Sequence, residues 1–207
     1  MSVQIVMLID RHNHTGLMRV WLASQSARRS EMLAQIFPNL ICRGLDGVNE
    51  NSTAKGVSGQ VLEICQKKAA AVGFDNDYDL VIVSDTMLQD PDIDSQALGK
   101  ATDAIEAAAM LHRLSGRRHR VWSATGILYK GEWEFHLNEA IVEFDELSDE
   151  TLVNLVLSNS WVGKAGAYDL AGEMSEFARL VEGDEGTVLG IAGDAMERLV
   201  QLSDYEV

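Results

Sequence analysis

The chain has 207 residues, of which 46% are hydrophobic and 24% are charged, values typical of a globular protein with one large domain or two closely packed lobes. No window approaches the roughly 18 consecutive apolar residues that a membrane-spanning helix needs, so we expect no membrane partner. The formal net charge of −15 argues against a nucleic-acid polymer as the partner, because binding a polyphosphate backbone requires a basic face.

The N-terminal segment shows neither a secretion signal nor a clear structural element. Its apolar run, residues 5–9, is too short for the core of a signal peptide, and we therefore expect a cytoplasmic protein. Residues 1–17 lack helical or strand periodicity, and Met18 stands just before the first predicted strand. We interpret residues 1–17 as a dispensable extension and residues 18–207 as a single domain.

The cysteine and histidine content favours neither a disulfide framework nor a zinc site. The two cysteines, Cys42 and Cys65, are predicted to be buried free thiols, because disulfides are rare in the cytosol. The five histidines are scattered, whereas a structural zinc ion requires four clustered ligands.

The first half of the chain alternates short apolar runs with amphipathic segments. An apolar strand over residues 20–23 is followed by Ser26, a good N-cap for a helix over about residues 27–37, which Pro38 ends. A second helix is predicted from about Ser58 to Val72. Residues 80–83 then predict a strand that is buried on both faces and ends at Ser84-Asp85-Thr86.

The second half contains more strand-like sequence. Its predicted elements are, in chain order, a helix from Asp103 to Ser115 with Glu106 in a capping box, a basic loop over residues 117–120, a hairpin over residues 120–144 that turns at Lys130-Gly131-Glu132, and a helix from Ser148 through Leu157. The last fifty residues are glycine-rich, with short apolar pieces. Together these elements predict an α/β fold with a mixed twisted sheet, flanking helices and two lobes around a central cleft.

Two arginines occupy an unusual position at the start of the first predicted helix. Arg28 and Arg29 face the positive end of the helix macrodipole there, which costs roughly 0.3–1 kcal/mol each. Backbone N–H groups at a helix N-terminus together with two guanidinium groups would bind a phosphate well. Two solvated arginines are the alternative interpretation.

Other polar residues carry less information singly. Asp85 directly follows the predicted buried strand, a place suited to metal or water activation, although from this residue alone a turn aspartate that caps the next segment is the better explanation. The stem of Lys68 can cover the core, Lys100 follows a glycine, and Glu50 lies in a polar loop. There is neither a nucleophile elbow nor a Walker A sequence, so metal-assisted attack by water is the simplest chemistry that remains.

Seven segments in a fixed order resemble those of the Maf family of nucleotide pyrophosphatases, from about residue 18 to residue 202. They are LASQSARRSEML (22–33), QKKA (66–69), SDT (84–86), LGKATD (98–103), MLHRLSG (110–116), KAGAY (164–168) and VLGI (188–191). The first is similar to the family's L-A-S-x-S-P-R-R-x-E-L-L, the third to its A-D-T and the fourth to its L-G-K-P-x-D. The order of all seven makes the resemblance far more specific than any one of them.

The resemblance implies cleavage of the α–β phosphoanhydride of a nucleoside triphosphate in an elongated α/β fold related to inosine triphosphatases, often as a homodimer. It implies that Asp85 is the catalytic acidic residue, as general base or metal ligand, and that Glu50 is a second acidic ligand of Mg²⁺ or Mn²⁺ if one residue is inserted before it. The implied phosphate-binding residues are Ser24, Arg28, Arg29, Lys68 and Lys100. The positions implied to affect base choice are Arg28, Thr86 and Ala171.

This chain also departs from the family pattern. Three prolines are replaced by alanines, at Ala27, Ala101 and Ala192, which removes loop rigidity but no charge. The family's Tyr-x-Ile-Gln-Gly becomes YDLAG at residues 168–172. Because that glutamine is tied to base recognition in thymidine and uridine triphosphate enzymes, Ala171 predicts an altered or broader base choice.

Two alternatives to a general nucleotide pyrophosphatase stay open. The chain could be a catalytically weak nucleotide-binding paralogue with a regulatory role in cell division, or an enzyme acting on deaminated purines such as inosine triphosphate. Convergence of Asp85, Glu50 and the cations in one cleft would favour an enzyme, and a panel of substrates would separate the two enzymatic alternatives.

Overall fold

A seven-stranded mixed sheet forms the centre of the computed structural model, which describes residues 18–73, 77–170 and 172–204. The predicted extension, residues 1–17, lies outside these ranges, and its dispensability stays a prediction. Within the described ranges, every helix is too short or too polar to cross a membrane.

Strands and helices are mixed along the whole chain. The strands are β1 (Val20–Leu22), β2 (Leu40–Cys42), β3 (Leu80–Gln89), β4 (Ala97–Leu98), β5 (Arg118–Tyr129), β6 (Glu132–Phe144) and β7 (Ala178–Glu182). The helices are α1 (Ala27–Ala34), α2 (Val57–Ala70), α3 (Ala104–Leu114), α4 (Asp149–Leu157), α5 (Glu185–Leu189) and α6 (Gly193–Asp204). The strand order is β2-β1-β3-β5-β6-β7, with β4 paired to β3; β1 runs parallel to β2 and β3, and the other pairs are antiparallel.

Local sequence signals explain where several elements begin. The side chains of Ser26, Asp103 and Ser148 accept backbone N–H bonds at the starts of α1, α3 and α4, as N-caps do. The hairpin between β5 and β6 turns at Lys130 and Gly131, both with positive φ, which suits a two-residue turn. These predictions are confirmed, although α1 ends earlier than expected.

Other predictions about local structure are wrong. Residues 118–120 begin β5 instead of forming a loop, because Arg118 and Arg120 pair with carboxylates of β6 while His119 is buried on the opposite face of the strand. Cys42 is exposed, since β2 is an edge strand, whereas Cys65 is buried as expected; both thiols are free.

The core divides into two lobes that share the long strands β3, β5 and β6. In the first lobe, β1 and the start of β3 are covered by α1 and α6 on one face and by α2 on the other. In the second lobe, the end of β3 and the adjoining parts of β5 and β6 pack with α3 and α4. The predicted mixed α/β fold with two lobes is therefore confirmed.

The early end of β1 creates the space for a site. Its last ladder pair joins Leu22 to Ile82, and the backbone N–H of Ala23 adds a final bond to the carbonyl of Ile82. β3 continues for seven residues beyond Ile82. One side of β3 is consequently open at Ser84, Asp85 and Thr86, so the predicted strand end at these residues is wrong: Asp85 lies within the strand.

Candidate active site

A cleft of about 910 Å³ opens where β1 ends and β3 continues. Its walls come from the turn between β1 and α1, the loop over residues 44–50, α2, β3 and the segments 97–100 and 162–165. Eight residues proposed from the sequence line it: Ser24, Arg28, Arg29, Glu50, Lys68, Asp85, Thr86 and Lys100. Residues far apart in the chain thus converge on one cavity.

The alternation of β3 sorts its polar side chains onto two faces. Asp85 points to the α2 face, where it meets Lys68. Ser84 and Thr86 point to the opposite face, where the Thr86 hydroxyl meets Arg29 of α1. The period of two residues therefore lets a single open strand supply the site with a carboxylate on one side and hydroxyl groups on the other.

One ammonium group lies between two carboxylates on the α2 side, and we call these three residues the carboxylate end of the cleft. Lys68 Nζ is 2.7 Å from Asp85 Oδ1 and 3.1 Å from Glu50 Oε1. The side chains of Lys68 and Asp85 are 13% and 11% exposed, whereas that of Glu50 is 61% exposed. The loop carboxylate therefore reaches the same ammonium as the strand carboxylate.

The carboxylate end suits Mg²⁺ or Mn²⁺ better than a metal ion that is coordinated by protein ligands alone. Among the described residues, no group of three or more His, Cys, Asp or Glu side chains is placed to hold a metal ion. Mg²⁺ commonly uses one or two protein carboxylates and takes its other oxygens from phosphates and water. Asp85 and Glu50 match that donor set.

The guanidinium group of Arg29 forms most of its possible hydrogen bonds with other groups of the protein. Its guanidinium donates to the carbonyls of Gly190 (2.8 Å) and Ser84 (3.1 Å) and to the hydroxyls of Thr86 (2.9 Å) and Ser24 (3.3 Å). These bonds use four of the five N–H donors of an arginine. Desolvation lowers the pKa of Arg29, and the nearby charge of Asp85 opposes that shift. Arg29 thus ties α1 to β3 and to the segment before α6.

Gly190 makes the close approach of Arg29 possible. Its φ is +119°, and a Cβ atom at this position would lie 2.7 Å from Arg29 Nε. Its carbonyl also accepts the Ser84 hydroxyl at 2.6 Å. A side chain here would meet both backbone strain and a steric clash.

Residues at the start of α1 and after β4 leave donors for an anion. Ser24 Oγ accepts from the backbone N–H of Ser26 and from Arg29, so its own proton is directed elsewhere. Lys100 is exposed and has no carboxylate partner within the described chain. Ser24 and Arg28 line the cleft at the N-terminus of α1, a kind of position that favours phosphate, and Lys100 lines it from the segment after β4.

A second ionic group lies beside Arg28, and we call it the Asp169 cluster. Asp169 Oδ1 is 3.5 Å from Arg28 Nη1, and its Oδ2 is 3.2 Å from Lys164 Nζ. The Asp169 side chain is 15% exposed. Lys164 also donates to the carbonyl of Ser160 at 2.7 Å, so the cluster joins α1 to the segment after α4.

Two buried aromatic residues support the Asp169 cluster. His119 Nε2 and the Tyr168 hydroxyl are 2.9 Å apart, and both rings pack edge-on against Phe144. Desolvation lowers the pKa of His119 to about 3 and raises the pKa of Tyr168. Neutral His119 therefore anchors the residue immediately before Asp169.

Several site residues were not identified from the sequence. Lys164 and Tyr168 belong to a recognised motif, which signals a role for that segment without specifying it. Asp169 occupies the variable position of the altered Tyr-x-Ile-Gln-Gly motif, and its charge could have directed attention to it. Gly190 also lies within a motif, but its partners come from distant segments. The predicted specificity residue Ala171 lies outside the described residues.

Comparison with solved structures supports the fold. The chain resembles a structure titled as a HAM1 protein from Coxiella burnetii with a TM-score of 0.50 and 13% sequence identity, covering 91% of this chain and all of that one. At this identity the likeness defines only the fold, a mixed α/β architecture of the HAM1 type.

Comparison with protein families and curated proteins identifies the family. The family model described as Maf-like protein matches residues 19–202, and the chain therefore belongs to the Maf family. A protein of Pyrococcus horikoshii named dTTP/UTP pyrophosphatase is 33% identical over 89% of this chain and 97% of its own length. One of Bacillus velezensis with the same name is 35% identical over 84% of this chain and 90% of its own length.

Proposed function

We propose that this protein is a nucleoside triphosphate pyrophosphatase, which hydrolyses ribo- or deoxyribonucleoside triphosphates to the monophosphate and pyrophosphate. The observation that carries the proposal is the convergence of Asp85, Glu50 and a set of cations in one cleft of a Maf-family chain. The names of the relatives from Pyrococcus and Bacillus support the same reaction.

The proposed reaction is a direct displacement by water. A water oxygen forms a bond to the α-phosphorus while the bond from that phosphorus to the α–β bridging oxygen breaks, and pyrophosphate leaves. Asp85 accepts the proton of the attacking water as general base. A divalent metal such as Mg²⁺ or Mn²⁺, held by Asp85 and Glu50, would neutralise charge on the phosphate oxygens.

The phosphate chain is proposed to bind to cleft residues with available donors. Lys100, Arg28 and the Ser24 hydroxyl line the cleft, and cations aimed at phosphoryl groups stabilise the charge that develops in the transition state. Because Arg29 donates mostly to protein acceptors, we assign it an indirect role: it holds Ser24 and Thr86 in place. Lys68 is proposed to contact phosphate once substrate is bound.

Base choice is proposed to depend on Arg28, Thr86 and Ala171. Arg28 is also constrained by Asp169, a carboxylate that adds a hydrogen-bond acceptor near this part of the cleft. Since alanine cannot form the side-chain hydrogen bonds of glutamine, we expect a ranking of bases that differs from a strict preference for thymine and uracil, with modified nucleotides among the accepted substrates. A homodimer stays a prediction.

The test is pyrophosphate release from a panel of normal and modified nucleoside triphosphates, with Mg²⁺, with Mn²⁺ and with EDTA. Metal-dependent release from at least one member is the expected result, and the ranking would give the base preference. A folded protein that binds nucleotide but releases no pyrophosphate from any member would refute the proposal and favour the regulatory paralogue.

A further inference from the structure

The position of Lys68 raises a question that its role as a phosphate ligand does not answer. Its ammonium contacts Asp85 Oδ1 at 2.7 Å and Glu50 Oε1 at 3.1 Å, the two carboxylates proposed to hold the metal. It also lies 3.4 Å from the carbonyl oxygen of Ser84. A single positive group thus already has the surroundings that suit a divalent cation: two carboxylates and a backbone carbonyl.

We propose that Lys68 is a positioning residue that acts as a built-in counter-ion: it holds Asp85 and Glu50 together before substrate arrives and turns to the phosphates when the metal and nucleotide bind. This inference rests on the proposed role of Asp85 and Glu50 as metal ligands. Lys68 therefore exchanges partners during binding, because its ammonium group competes with the divalent cation for the same two carboxylates.

Electrostatic repulsion predicts that Lys68 weakens the binding of a metal ion to Asp85 and Glu50. Two positive charges within a few ångströms of each other repel, and the repulsion is strong where the groups are partly buried. The Lys68 side chain is 13% exposed and that of Asp85 is 11% exposed, so water screens the interaction poorly. Free metal should therefore bind weakly while Lys68 stays between the carboxylates.

Binding of a triphosphate relieves the repulsion between Lys68 and the metal ion. A triphosphate offers oxygen ligands to the metal and, at the same time, anionic partners to the displaced ammonium. The flexible four-carbon stem of a lysine and its three rotatable donors suit it to such a change of partner. The arrangement makes metal and nucleotide bind with positive coupling, and such coupling is reciprocal by linkage.

Lys67 provides a matched control because it precedes Lys68 on the same helix but forms its ion pair with Glu63 instead of with Asp85 or Glu50. Its ammonium contacts Glu63 Oε1 and the carbonyl of Asn51, both at 2.6 Å. The hydrogen bond from Lys67 to the Glu63 carboxylate lowers the pKa of Glu63 to about 2. Removing either lysine changes the net charge equally, but only Lys68 lies between Asp85 and Glu50.

The experiment measures Mn²⁺ binding to the full chain without nucleotide, from the loss of the electron paramagnetic resonance signal of free Mn²⁺. We expect Lys68→Met to bind Mn²⁺ on the order of tenfold more tightly than the wild type, and Lys67→Met to match the wild type. Lys68→Arg retains the charge and should restore weak binding. Thermal unfolding of each variant verifies that it is folded, and Lys68→Gln replaces Lys68→Met if the latter unfolds.

A second titration adds a triphosphate analogue with a methylene group in place of the α–β bridging oxygen, which cannot be cleaved there. The Mn²⁺ bound by the analogue alone is measured without protein and subtracted. The wild type should then bind Mn²⁺ more tightly than without the analogue, and the advantage of Lys68→Met should disappear. Equal Mn²⁺ affinity of the wild type and Lys68→Met without nucleotide would overturn the proposed exchange of partners. The same conclusion would follow if Lys67→Met increased the Mn²⁺ affinity as much as Lys68→Met does. Because these titrations require no turnover, they can fail while pyrophosphate release succeeds, and the reverse also holds.

Discussion

The carboxylate end and the Asp169 cluster are opposite arrangements of the same three-charge unit. At the carboxylate end, one cation lies between two acids, whereas in the Asp169 cluster one acid lies between two cations. By formal charge, the first retains one negative charge and the second one positive charge. A chain with a net charge of −15 can therefore present one part of its cleft to a metal ion and another to an anion.

The two groups also differ in what holds them. Asp85 and Lys68 are carried by β3 and α2, regular elements packed in the core. Asp169 and Lys164 are carried by the irregular segment after α4 and depend on Tyr168 and His119 for support. Sites on strands and helices are placed more accurately than sites on loops. We therefore propose that the carboxylate end, in which Asp85 and Lys68 lie on regular elements and only Glu50 lies on a loop, carries the chemistry, and that the Asp169 cluster selects among nucleotides. We call the first the rigid group and the second the adaptable group.

The largest expected effect tests the rigid group. Asp85→Asn keeps the size of the side chain but removes its charge, so pyrophosphate release should slow by about 10²–10⁴-fold. Steady-state rates at saturating nucleotide provide the measurement. Asp145→Asn is a suitable control, because Asp145 pairs with Arg179 outside the cleft. Near wild-type turnover of Asp85→Asn would remove Asp85 from the chemistry.

A smaller effect is expected in the adaptable group. Asp169→Asn leaves Arg28 and Lys164 without their shared anion, so KM should fall by about threefold to tenfold at low salt, with kcat almost unchanged, since pairs of this exposure are worth only modest energies. The ranking of bases should change as well. The measurement is kcat and KM over the nucleotide panel at two ionic strengths. A fall in kcat as large as that of Asp85→Asn would contradict the division between the two groups.

Acid should weaken the support of the adaptable group. The pKa of His119 is lowered to about 3 by burial, against about 6.5 in the unfolded chain. Above about pH 6.5 the His119 imidazole is neutral in both the folded and the unfolded chain. Below about pH 6.5 only the unfolded chain takes up a proton at His119. This group should therefore lower the free energy of unfolding by about 1.4 kcal/mol for each pH unit of acidification. Urea unfolding from about pH 7.5 to about pH 5.5 measures the slope.

The matched variant for this measurement is His119→Gln, which keeps an acceptor for the Tyr168 hydroxyl but does not titrate in this range. Its unfolding free energy should depend less steeply on pH than that of the wild type. If both proteins show the same slope, His119 is not the group responsible for the acid sensitivity.

The smallest effect is expected at the N-terminus. A chain that begins at Met18 should keep the same turnover and the same base ranking, because residues 1–17 precede all the residues assigned to either group. Pyrophosphate release by the shortened chain, next to the full one, gives the comparison. A clear loss of activity would show that the extension contributes to the cleft.

Sequence reasoning succeeds where the determining interactions are local. Ser26, Asp103 and Ser148 bond to N–H groups two or three residues away, and the hairpin depends on two adjacent turn residues. No helix is predicted from the sequence at α6, although Ala195, Leu199 and Leu202 form a buried stripe in this glycine-rich region. Closer attention to helical periodicity would have found it.

Long-range partners are beyond this kind of reasoning. The length of β3 depends on pairing with β5, as in the register of Asp85 with Ala124, and a short polar run does not indicate such pairing. Arg28 and Arg29 both line the cleft, but the acceptors of Arg29 at Ser84, Thr86 and Gly190 come from segments that only the fold brings together. The resemblance implied one site for Arg29 and Thr86, whereas the contacts of Arg29 with Ser84 and Gly190 required the structure.

The bonds to Gly190 have a consequence for the growing polypeptide. Arg29 and Ser84 both donate to this carbonyl, across 161 and 106 residues of chain, so neither can be fully bonded until Gly190 has left the ribosome. Contacts of such long sequence separation form late and slow the folding of a domain. We expect a nascent chain that already contains Asp85 and Lys68 to remain without an ordered cleft, and therefore inactive, until Gly190 has been added and released from the ribosome.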